Sequence, residues 1–304
     1  MIASAKTSSS KMIKVEQKLS VQCKTFADDS TAIRSLDWDR SRFDIEFGLR
    51  NGTTYNSFII KGKKLAIIDT SHSKFEKLWI DQLLKEVNPE DIDYLISSHT
   101  EPDHSGLIGN LLSLNQNITI VGSKLALKFI EDQIHIPFKR LEVKSGEFLN
   151  LGINPHSGLE HNIEFISAPN LHWPDTIFSY DHSTKVLYTC DAFGLHYCSD
   201  EFFDTDQKEI YGDFRFYYDC LMGPNARSVL QAIKKMDKLP DLKTIAVGHG
   251  PLLHNQVDFW KGKYLEWSSN KSKGNEFVAV CYISDYGYCD RLSQAISHGI
   301  SKAD

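Results

Sequence analysis

The stretch Ser98-His99-Thr100-Glu101-Pro102-Asp103-His104-Ser105-Gly106 decides what fold and chemistry this chain can support. It places four metal-binding side chains within six positions. The preceding residues 92–97 are typical of a short buried strand, and the residues after Gly106 favour a helix. Two imidazoles and two carboxylates suit a pair of divalent or trivalent ions better than one zinc held by thiolates. The segment therefore predicts a metal-binding loop at the end of a strand.

Three further side chains supply what a metal site of this kind still needs. His172 lies beside Trp173, Asp191 ends the apolar run 186–190, and His249 follows the apolar run 244–247 and a glycine. Ligands at the carboxyl ends of strands are what a site at the edge of a sheet requires. The pattern therefore predicts one centre built from seven side chains.

The order and spacing of these seven positions resemble those of the flavodiiron proteins, which carry a diiron centre in a metallo-β-lactamase-like domain. The resemblance covers roughly residues 28 to 304. Within the family, the chain is most similar to the oxygenic-phototroph branch, whose members usually carry an additional flavin reductase domain. Four further phrases carry it: Asn51-Gly52-Thr53-Thr54-Tyr55-Asn56-Ser57, His172-Trp173-Pro174-Asp175-Thr176, Cys190-Asp191-Ala192-Phe193-Gly194 and Gly248-His249-Gly250-Pro251.

The resemblance also implies how the ligands divide between two iron ions. One iron is expected on His99, Glu101 and His172, the other on Asp103, His104 and His249, with Asp191 bridging the two. Glu101 is the discriminating residue, because hydrolases with this fold carry histidine at that place. A carboxylate there adds a hard anionic donor, which favours iron or manganese over zinc.

Periodicity alone predicts an α/β or α+β fold, with helices over residues 75–87, 125–132, 226–236 and 258–267. The resemblance implies an αββα sandwich followed by the first βα unit of a truncated flavodoxin-like domain. Residues 200–219 indicate a long irregular excursion. The expected organisation is a disordered or irregular tail over 1–27, a diiron domain over 28–267, a linker over 268–275, and the flavodoxin-like start over 276–304.

The segment near the carboxyl terminus predicts a phosphate-binding turn. A strand over 277–283, a hydroxyl- and glycine-containing loop, and a helix over 290–300 form a phosphate cradle by geometry. The resemblance implies that this loop binds FMN through Ser284, Asp285, Tyr286, Gly287, Tyr288 and Cys289. A flavodoxin-like domain needs about 140 residues, so we expect the part present here not to hold FMN firmly.

The composition of the chain limits which classes of partner and which compartment it suits. The formal net charge of −6 argues against nonspecific binding to nucleic acid, which depends on a basic face. No apolar stretch approaches the roughly 18 residues of a membrane span. Six scattered cysteines without a C-x-x-C pair favour free thiols in the cytoplasm.

Several residues outside the ligand set are candidates for supporting or structural roles. Cys190 is expected to be a small buried side chain, and Asp69 either to support the ligand loop or to cap a turn. Trp173 and Tyr197 are candidates for shaping a gas pocket, although packing is the commoner role. His196 and His254 are candidates for lining the site, whereas the remaining histidines are expected at the surface or in turns: His72, His135, His156, His161, His182 and His298.

The expected function is reduction of O2 to water, with NO reduction to N2O as the sister activity and electrons from FMN or NAD(P)H-linked flavin modules. The resemblance implies a head-to-tail homodimer, or a heteromer with a related subunit. Two alternatives stay open: a truncated, non-catalytic partner subunit of a full-length flavodiiron protein, and a hydrolase with the metallo-β-lactamase fold. Metal content and turnover with external electrons separate the three.

Overall fold

The computed structural model describes residues 18–43, 47–205, 207–269 and 279–300. The chain divides into two compact units, Met1–Ser269 and Asn270–Asp304. The first unit consists of two sheets packed face to face, with helices on both outer faces. The predicted mixed α/β fold with an αββα sandwich is therefore confirmed.

The first sheet has seven strands in the order β1-β2-β5-β6-β7-β8-β9. Its first four strands pair antiparallel and the remaining pairs are parallel. The bounds are β1 Leu19–Ala27, β2 Ser30–Asp37, β5 Thr53–Lys61, β6 Leu65–Ile68, β7 Ile92–Ile96, β8 Thr119–Gly122 and β9 Lys139–Glu142, with a separate hairpin of β3 Arg42–Phe43 and β4 Phe47–Gly48.

The second sheet has five strands in sequence order, β10 to β14. Its pairs are antiparallel except for β13 and β14, which run parallel. The bounds are β10 Phe148–Ile153, β11 Glu160–Ser167, β12 Ile177–Asp181, β13 Val186–Cys190 and β14 Thr244–Val247. Every residue of β12, β13 and β14 is buried, as expected for strands covered on both faces.

The described part of the chain contains eight α-helices in addition to short 3-10 and π-helical turns: α1 Glu76–Glu86, α2 Pro102–Ser105, α3 Ile108–Leu114, α4 Lys124–Ile134, α5 Gln207–Tyr217, α6 Ala226–Met236, α7 Val257–Ser269 and α8 Tyr288–Ile300. Helices α1, α3 and α4 pack on the outer face of the first sheet, and α5, α6 and α7 on that of the second. None of these helices is long and apolar enough to cross a membrane.

The core between the sheets is apolar and buried. Ile68 and Val121 from the first sheet meet Phe165 and Tyr188 from the second, and each of the four is at most 1% exposed. Burial of such side chains stabilises the fold by about 1.5–3 kcal/mol each. This shared core fixes the relative position of the two sheets, on which any site between their edges depends.

Two segments differ from the prediction. Residues 200–219 are not irregular throughout: α5 begins at Gln207, and Ile210, Phe214 and Tyr217 pack on the second sheet at helical spacing. Residues 1–17 of the predicted tail lie outside the described residues, and the prediction is wrong over Leu19–Ala27, which forms the edge strand β1. Leu19 and Val21 pack on the apolar cluster under α1, which is why the strand forms.

The second unit is described only over residues 279–300. Of the strand predicted over 277–283, residues 277 and 278 lie outside the described residues, and 279–283 do not form a strand. This part of the prediction is wrong over those five residues, which pair with no strand among the described residues of this unit. Helix α8 begins at Tyr288, and Arg291 donates its backbone N–H to the Gly287 carbonyl at 3.1 Å.

Candidate metal centre

The loop after β7 carries four of the seven predicted ligands and changes direction at a proline. Glu101 is extended, whereas Pro102 opens the short helix α2. Proline suits the first helical position, because the N–H that it lacks has no partner there. His99 and Glu101 thus lie on an extended segment, and Asp103 and His104 on a helical turn. The two pairs approach the centre from different directions.

Asp191 lies at the middle of the cluster and divides it in two. Its Oδ2 atom is 3.0 Å from His99 Nε2 and 3.0 Å from His172 Nε2. Its Oδ1 atom is 2.9 Å from His104 Nε2 and 3.3 Å from His249 Nε2. One carboxylate oxygen therefore faces each pair of imidazoles.

The other two carboxylates complete the two halves. Glu101 Oε2 lies 2.9 Å from His172 Nε2. Asp103 approaches the other pair, with Oδ1 at 3.5 Å from His104 Nε2 and Oδ2 at 3.4 Å from His249 Nε2. Each half thus offers two imidazole nitrogens, one carboxylate of its own, and one oxygen of Asp191.

The donor set fits a pair of metal ions. Two ligands bound at about 2.1 Å and at right angles lie about 3 Å apart, close to the separations found here. His99 Nε2 is buried and makes no hydrogen bond despite lying near Asp191, and Asp191 Oδ1 and Asp103 Oδ1 are likewise buried without one. Buried polar atoms normally have partners, and cations at the centre of each half would provide them.

The electrostatics of the site are those of a cation-binding cluster. Burial acts to lower the pKa of His104, but Asp103 and Asp191 outweigh it and raise that pKa to about 10. The same holds for His172: burial acts to lower its pKa, but Asp191 and Glu101 outweigh this effect and raise the pKa to about 10. The carboxylates thus create a strongly negative potential, and a bound metal would take the place of these protons.

Strand β6 supports the ligand loop from beneath. Asp69, at the carboxyl end of β6, accepts the backbone N–H of Ser98 at 2.8 Å through Oδ1. Thr70 donates both its N–H and its hydroxyl to the His104 carbonyl, at 2.7 and 2.6 Å. These bonds hold the backbone on both sides of the proline, as supporting partners of ligands commonly do. Of the two roles weighed for Asp69, the supporting one fits this geometry.

His249 is oriented by the amino end of β5. Its Nδ1 lies 2.5 Å from the Thr54 carbonyl, so this nitrogen donates and Nε2 is turned toward the centre. Gly248, just before it, leaves room for the neighbouring ligand. A Cβ at Gly248 would lie 2.7 Å from His104 Cε1, closer than side chains approach one another.

Comparisons with known proteins identify the family of the chain. The family model described as ODP family beta lactamase matches residues 53–250. A metal-soaked flavodiiron core from Synechocystis sp. PCC6803 superposes with a TM-score of 0.80 at 33% identity, covering 94% of this chain and 70% of that one. The chain belongs to the flavodiiron protein family. The prediction of the family is confirmed.

Other flavodiiron relatives extend the comparison. "Putative diflavin flavoprotein A 3" from Nostoc sp. strain PCC 7120 is 59% identical over 289 residues, which are 95% of this chain and 49% of that protein. "Diflavin flavoprotein A 1" from Synechocystis sp. strain PCC 6803 is 56% identical, with coverages of 94% and 49%. The rubredoxin oxygen:oxidoreductase from Desulfovibrio gigas superposes with a TM-score of 0.76 at 27% identity, covering 82% of this chain and 62% of that one. The chain thus spans about half the length of the curated relatives it matches.

The other candidate residues take different places around the candidate metal centre. Trp173 packs edge-on against His99, with ring centroids 5.6 Å apart. His196 lies 4.8 Å from the His249 ring. His254 instead hydrogen-bonds Thr244 at the far side of β14, so it does not line the centre. Tyr197 hydrogen-bonds Glu209.

Cys190 lies close to the centre. Its sulfur is within 4.8 Å of ligand atoms of His99, His104 and Asp191. Burial raises the pKa of its thiol well above the ordinary value, so the protonated form is favoured and a metal would not readily find a thiolate there. The geometry suits the expected role as a small buried side chain.

Two residues near the centre were missed. The Tyr217 ring lies 6.2 Å from that of His249, and Thr53 Oγ1 lies 2.8 Å from His196 Nδ1. Tyr217 belongs to a segment expected to be irregular, although the spacing Ile210, Phe214, Tyr217 is a usable helical signal. Thr53 belongs to the quoted phrase 51–57, but nothing about a threonine indicates which distant histidine it contacts.

The predicted FMN loop lies in the second unit. Residues 285–287 form a bend that leads into α8, and five of the six candidate residues are exposed or only partly buried. The sixth, Ser284, has a buried hydroxyl without a hydrogen bond. The helix that follows this bend keeps the loop a candidate for phosphate binding.

Proposed function

We propose that this chain is the diiron core of an oxidoreductase that reduces O2 to water with electrons delivered by a flavin. Flavodiiron proteins are oxidoreductases, and the D. gigas relative is named for its oxygen chemistry. The proposal depends mainly on the position of Asp191. One of its carboxylate oxygens faces each half of the cluster, and the two halves offer the same types of ligand. A carboxylate shared in this way would hold one cation in each half-site, as in two-metal sites.

The donor types favour iron. The proposed ligands of one ion are His99, Glu101 and His172, and those of the other are Asp103, His104 and His249, with Asp191 shared. Three carboxylates among seven ligands give a hard, anionic set that stabilises the oxidised ion. When bound, a pair of iron ions supplies the redox chemistry that passes electrons to O2. Overall, O2 takes four electrons and four protons to give two molecules of water.

The protein contributes orientation and exclusion of bulk water. His99, His104, His249 and Asp191 are each at most 1% exposed, so the centre is closed on most sides. A cavity of about 230 Å³ reaches it from outside and is lined in part by Tyr55, Glu101 and Asp103. That volume admits a small gas readily. NO, reduced to N2O, is the sister substrate that the same geometry would accept.

The proposed electron supply lies outside the described centre. Residues 284–289 are proposed to contribute to FMN phosphate binding in the complete flavodiiron architecture, with NAD(P)H-linked flavin modules as the source of electrons. A head-to-tail homodimer, or a heteromer with a related subunit, would bring the flavin of one chain to the centre of another. The cytoplasm is the proposed compartment, because the six scattered cysteines suit a reducing environment.

Metal content and oxygen consumption test the proposal together. The chain is reconstituted anaerobically with iron, analysed for metals, and assayed in an oxygen electrode with NADH, FMN and a flavin reductase. Metal-free protein gives the background from free flavin, and added catalase distinguishes water from peroxide because only peroxide returns O2. We expect about two irons per chain and O2 uptake above background that catalase does not reverse.

The Asp191→Asn variant is the matched control, because it keeps the size of the side chain and removes the shared charge. It should bind less iron and lose the O2 uptake. Stoichiometric zinc with no O2 uptake, even after iron reconstitution, would instead favour the hydrolase alternative. Two irons per chain without O2 uptake would favour a partner subunit that does not turn over by itself.

A further inference from the structure

A cavity of about 450 Å³ lies between helix α5 and the segment that leads from β4 to β5. Its lining includes Asn51 and Arg50 on one side and Asp213 and Tyr217 on the other, with His196 at its inner end. The volume is large enough for many water molecules, each of which occupies about 30 Å³ of liquid. This cavity is separate from the one that reaches Glu101 and Asp103.

The inner end of the cavity carries two polar atoms that lack partners. His196 is 6% exposed and its Nε2 makes no hydrogen bond, while its Nδ1 is 2.8 Å from Thr53 Oγ1. Tyr217 is 2% exposed and its hydroxyl is also without a partner. Both rings contact His249. Buried water normally satisfies such atoms where the space is polar and wide enough, as it is here.

The outer part of the cavity carries an acid. Asp213 Oδ2 accepts a hydrogen bond from Asn51 Nδ2 at 3.0 Å. Burial raises the pKa of Asp213, against opposing effects of Asn51 and the Arg50 guanidinium. Lys208 and Glu209 of α5 also line the cavity, and Glu209 accepts a hydrogen bond from the Tyr197 hydroxyl.

Asp213 and Tyr217 are four residues apart on α5, so they lie on one face of the helix. On this face, the Asp213 carboxyl lies toward solvent, and the Tyr217 hydroxyl lies at the other end, beside the proposed metal ligand His249. Such an arrangement can order a continuous row of water molecules. Neither Tyr217 nor His196 has to change its protonation state to do so, because each needs only to hold water by hydrogen bonds.

We propose that this cavity is a water-filled proton-uptake site, in which Asp213 exchanges protons with solvent and Tyr217 and His196 hold the inner water. The inference rests on the proposed function, since reduction of one O2 to two waters consumes four protons along with four electrons. The Asp213 carboxyl gives a proton to the water row and regains one from bulk water, so the residue is unchanged after each transfer. Its role is to position and relay protons without contacting O2.

The first test does not depend on activity. A high-resolution crystal structure of the chain should show ordered water within hydrogen-bonding distance of the Tyr217 hydroxyl and His196 Nε2, continuing to Asp213. Gly212 also lines the cavity, and a Cβ there would meet nothing within 4 Å. The Gly212→Leu variant should therefore displace water, whereas Gly212→Ala should leave it in place. A cavity without water in the wild-type protein would overturn the proposal.

The second test uses the oxygen electrode with iron-loaded protein. Asp213→Asn should lower O2 uptake about tenfold, increase the solvent deuterium isotope effect and remove a step from the pH profile, while Asp213→Glu restores most of the rate. Gly212→Leu should slow uptake similarly, with unchanged iron content. Asp219→Asn is the control, because Asp219 is an exposed partner of Arg215 and lies outside the cavity.

The outcomes separate the inference from the proposed function. If the wild-type protein takes up O2 and Asp213→Asn equals it at every pH, the proton-uptake proposal alone is wrong. If the iron-loaded wild-type protein takes up no O2, the proposed function fails and the inference falls with it. Wild-type activity is therefore measured before any variant.

Discussion

Replacing His161 with phenylalanine should destabilise the fold far from the metal centre and remove a specific pH dependence. The His161 side chain is fully buried between two carboxylates. Its Nδ1 is 2.7 Å from Asp181 Oδ2, and its Nε2 is 3.1 Å from Asp29 Oδ2. Asp29 lies in the turn between β1 and β2, and Asp181 ends β12, so the imidazole joins the two sheets.

The size of the effect follows from what the variant leaves behind. Removing one partner of a buried ion pair costs about 3–5 kcal/mol, because a charge stays buried without compensation. Asp181 keeps the Thr184 hydroxyl at 2.8 Å and the Ser183 N–H at 3.1 Å, so we expect the lower end, about 3 kcal/mol. For a domain of this size that corresponds to a fall in Tm of about 6–12 °C.

The sign of the pH dependence is set by the direction of the pKa shift. Burial acts to lower the pKa of His161, but Asp181 and Asp29 outweigh it and raise that pKa. The folded protein therefore binds a proton that the unfolded chain releases near pH 6.5. The stabilisation by His161 should be complete below about pH 6.5 and should fall as the pH rises through the raised folded value.

Urea unfolding of wild-type protein and His161→Phe, in the same metal state and at several pH values, measures this difference. The matched control is His182→Phe, because His182 pairs with Glu164 at 2.8 Å but both side chains are partly exposed, 30% and 23%. An exposed pair of this kind contributes about 1 kcal/mol or less. Equal destabilisation by the two variants, or a difference that grows with pH, would refute the reasoning.

Three further predictions concern the metal centre. Gly248→Ala should weaken metal binding about 10- to 100-fold in a metal titration, because the added Cβ displaces the His104 ring. The control is Gly262→Ala in α7, where a Cβ meets nothing within 4 Å and metal binding should not change. Glu101→His should shift the metal bound from an equimolar iron and zinc supply toward zinc, as elemental analysis would show, and an unchanged ratio would contradict the role given to this carboxylate. Chelation should lower the Tm in differential scanning fluorimetry, because ions at 1,000 times their Kd add about 4 kcal/mol to stability; equal Tm values with and without metal would contradict the fit of the site.

The elements that were predicted correctly share a strong local pattern. Helix α6 repeats buried residues at helical spacing, and β13 is a continuous apolar run, so both are visible in the sequence. Helix α5 was missed because Asp213 and Gly212 interrupt an aromatic segment that also carries charges. Strand β1 was missed because its apolar residues are only partly buried at a sheet edge, where polar residues are tolerated on the other face.

The ligands and their supports differ in how much the sequence shows of them. Histidine and carboxylate side chains in tight spacing are uncommon, so residues 99–104 could be recognised as a group. His249 is oriented by the backbone carbonyl of Thr54. Because every residue has a backbone carbonyl, the sequence does not indicate which one makes this contact. The supporting role of Thr70 likewise depends on a contact with a residue 34 positions away. Such partners become visible only when the two sheets are placed together.

His161 shows most clearly where prediction from sequence ends. It was expected at the surface or in a turn, and that expectation is wrong. Its partner Asp181 is on the neighbouring strand, where Ile163 pairs with Asp181. A slip of one residue in that pairing would move His161 to the other face of the sheet. The charge state and burial of this histidine therefore depend on strand register, which is set by the packing of the whole sandwich and not by the residues beside it.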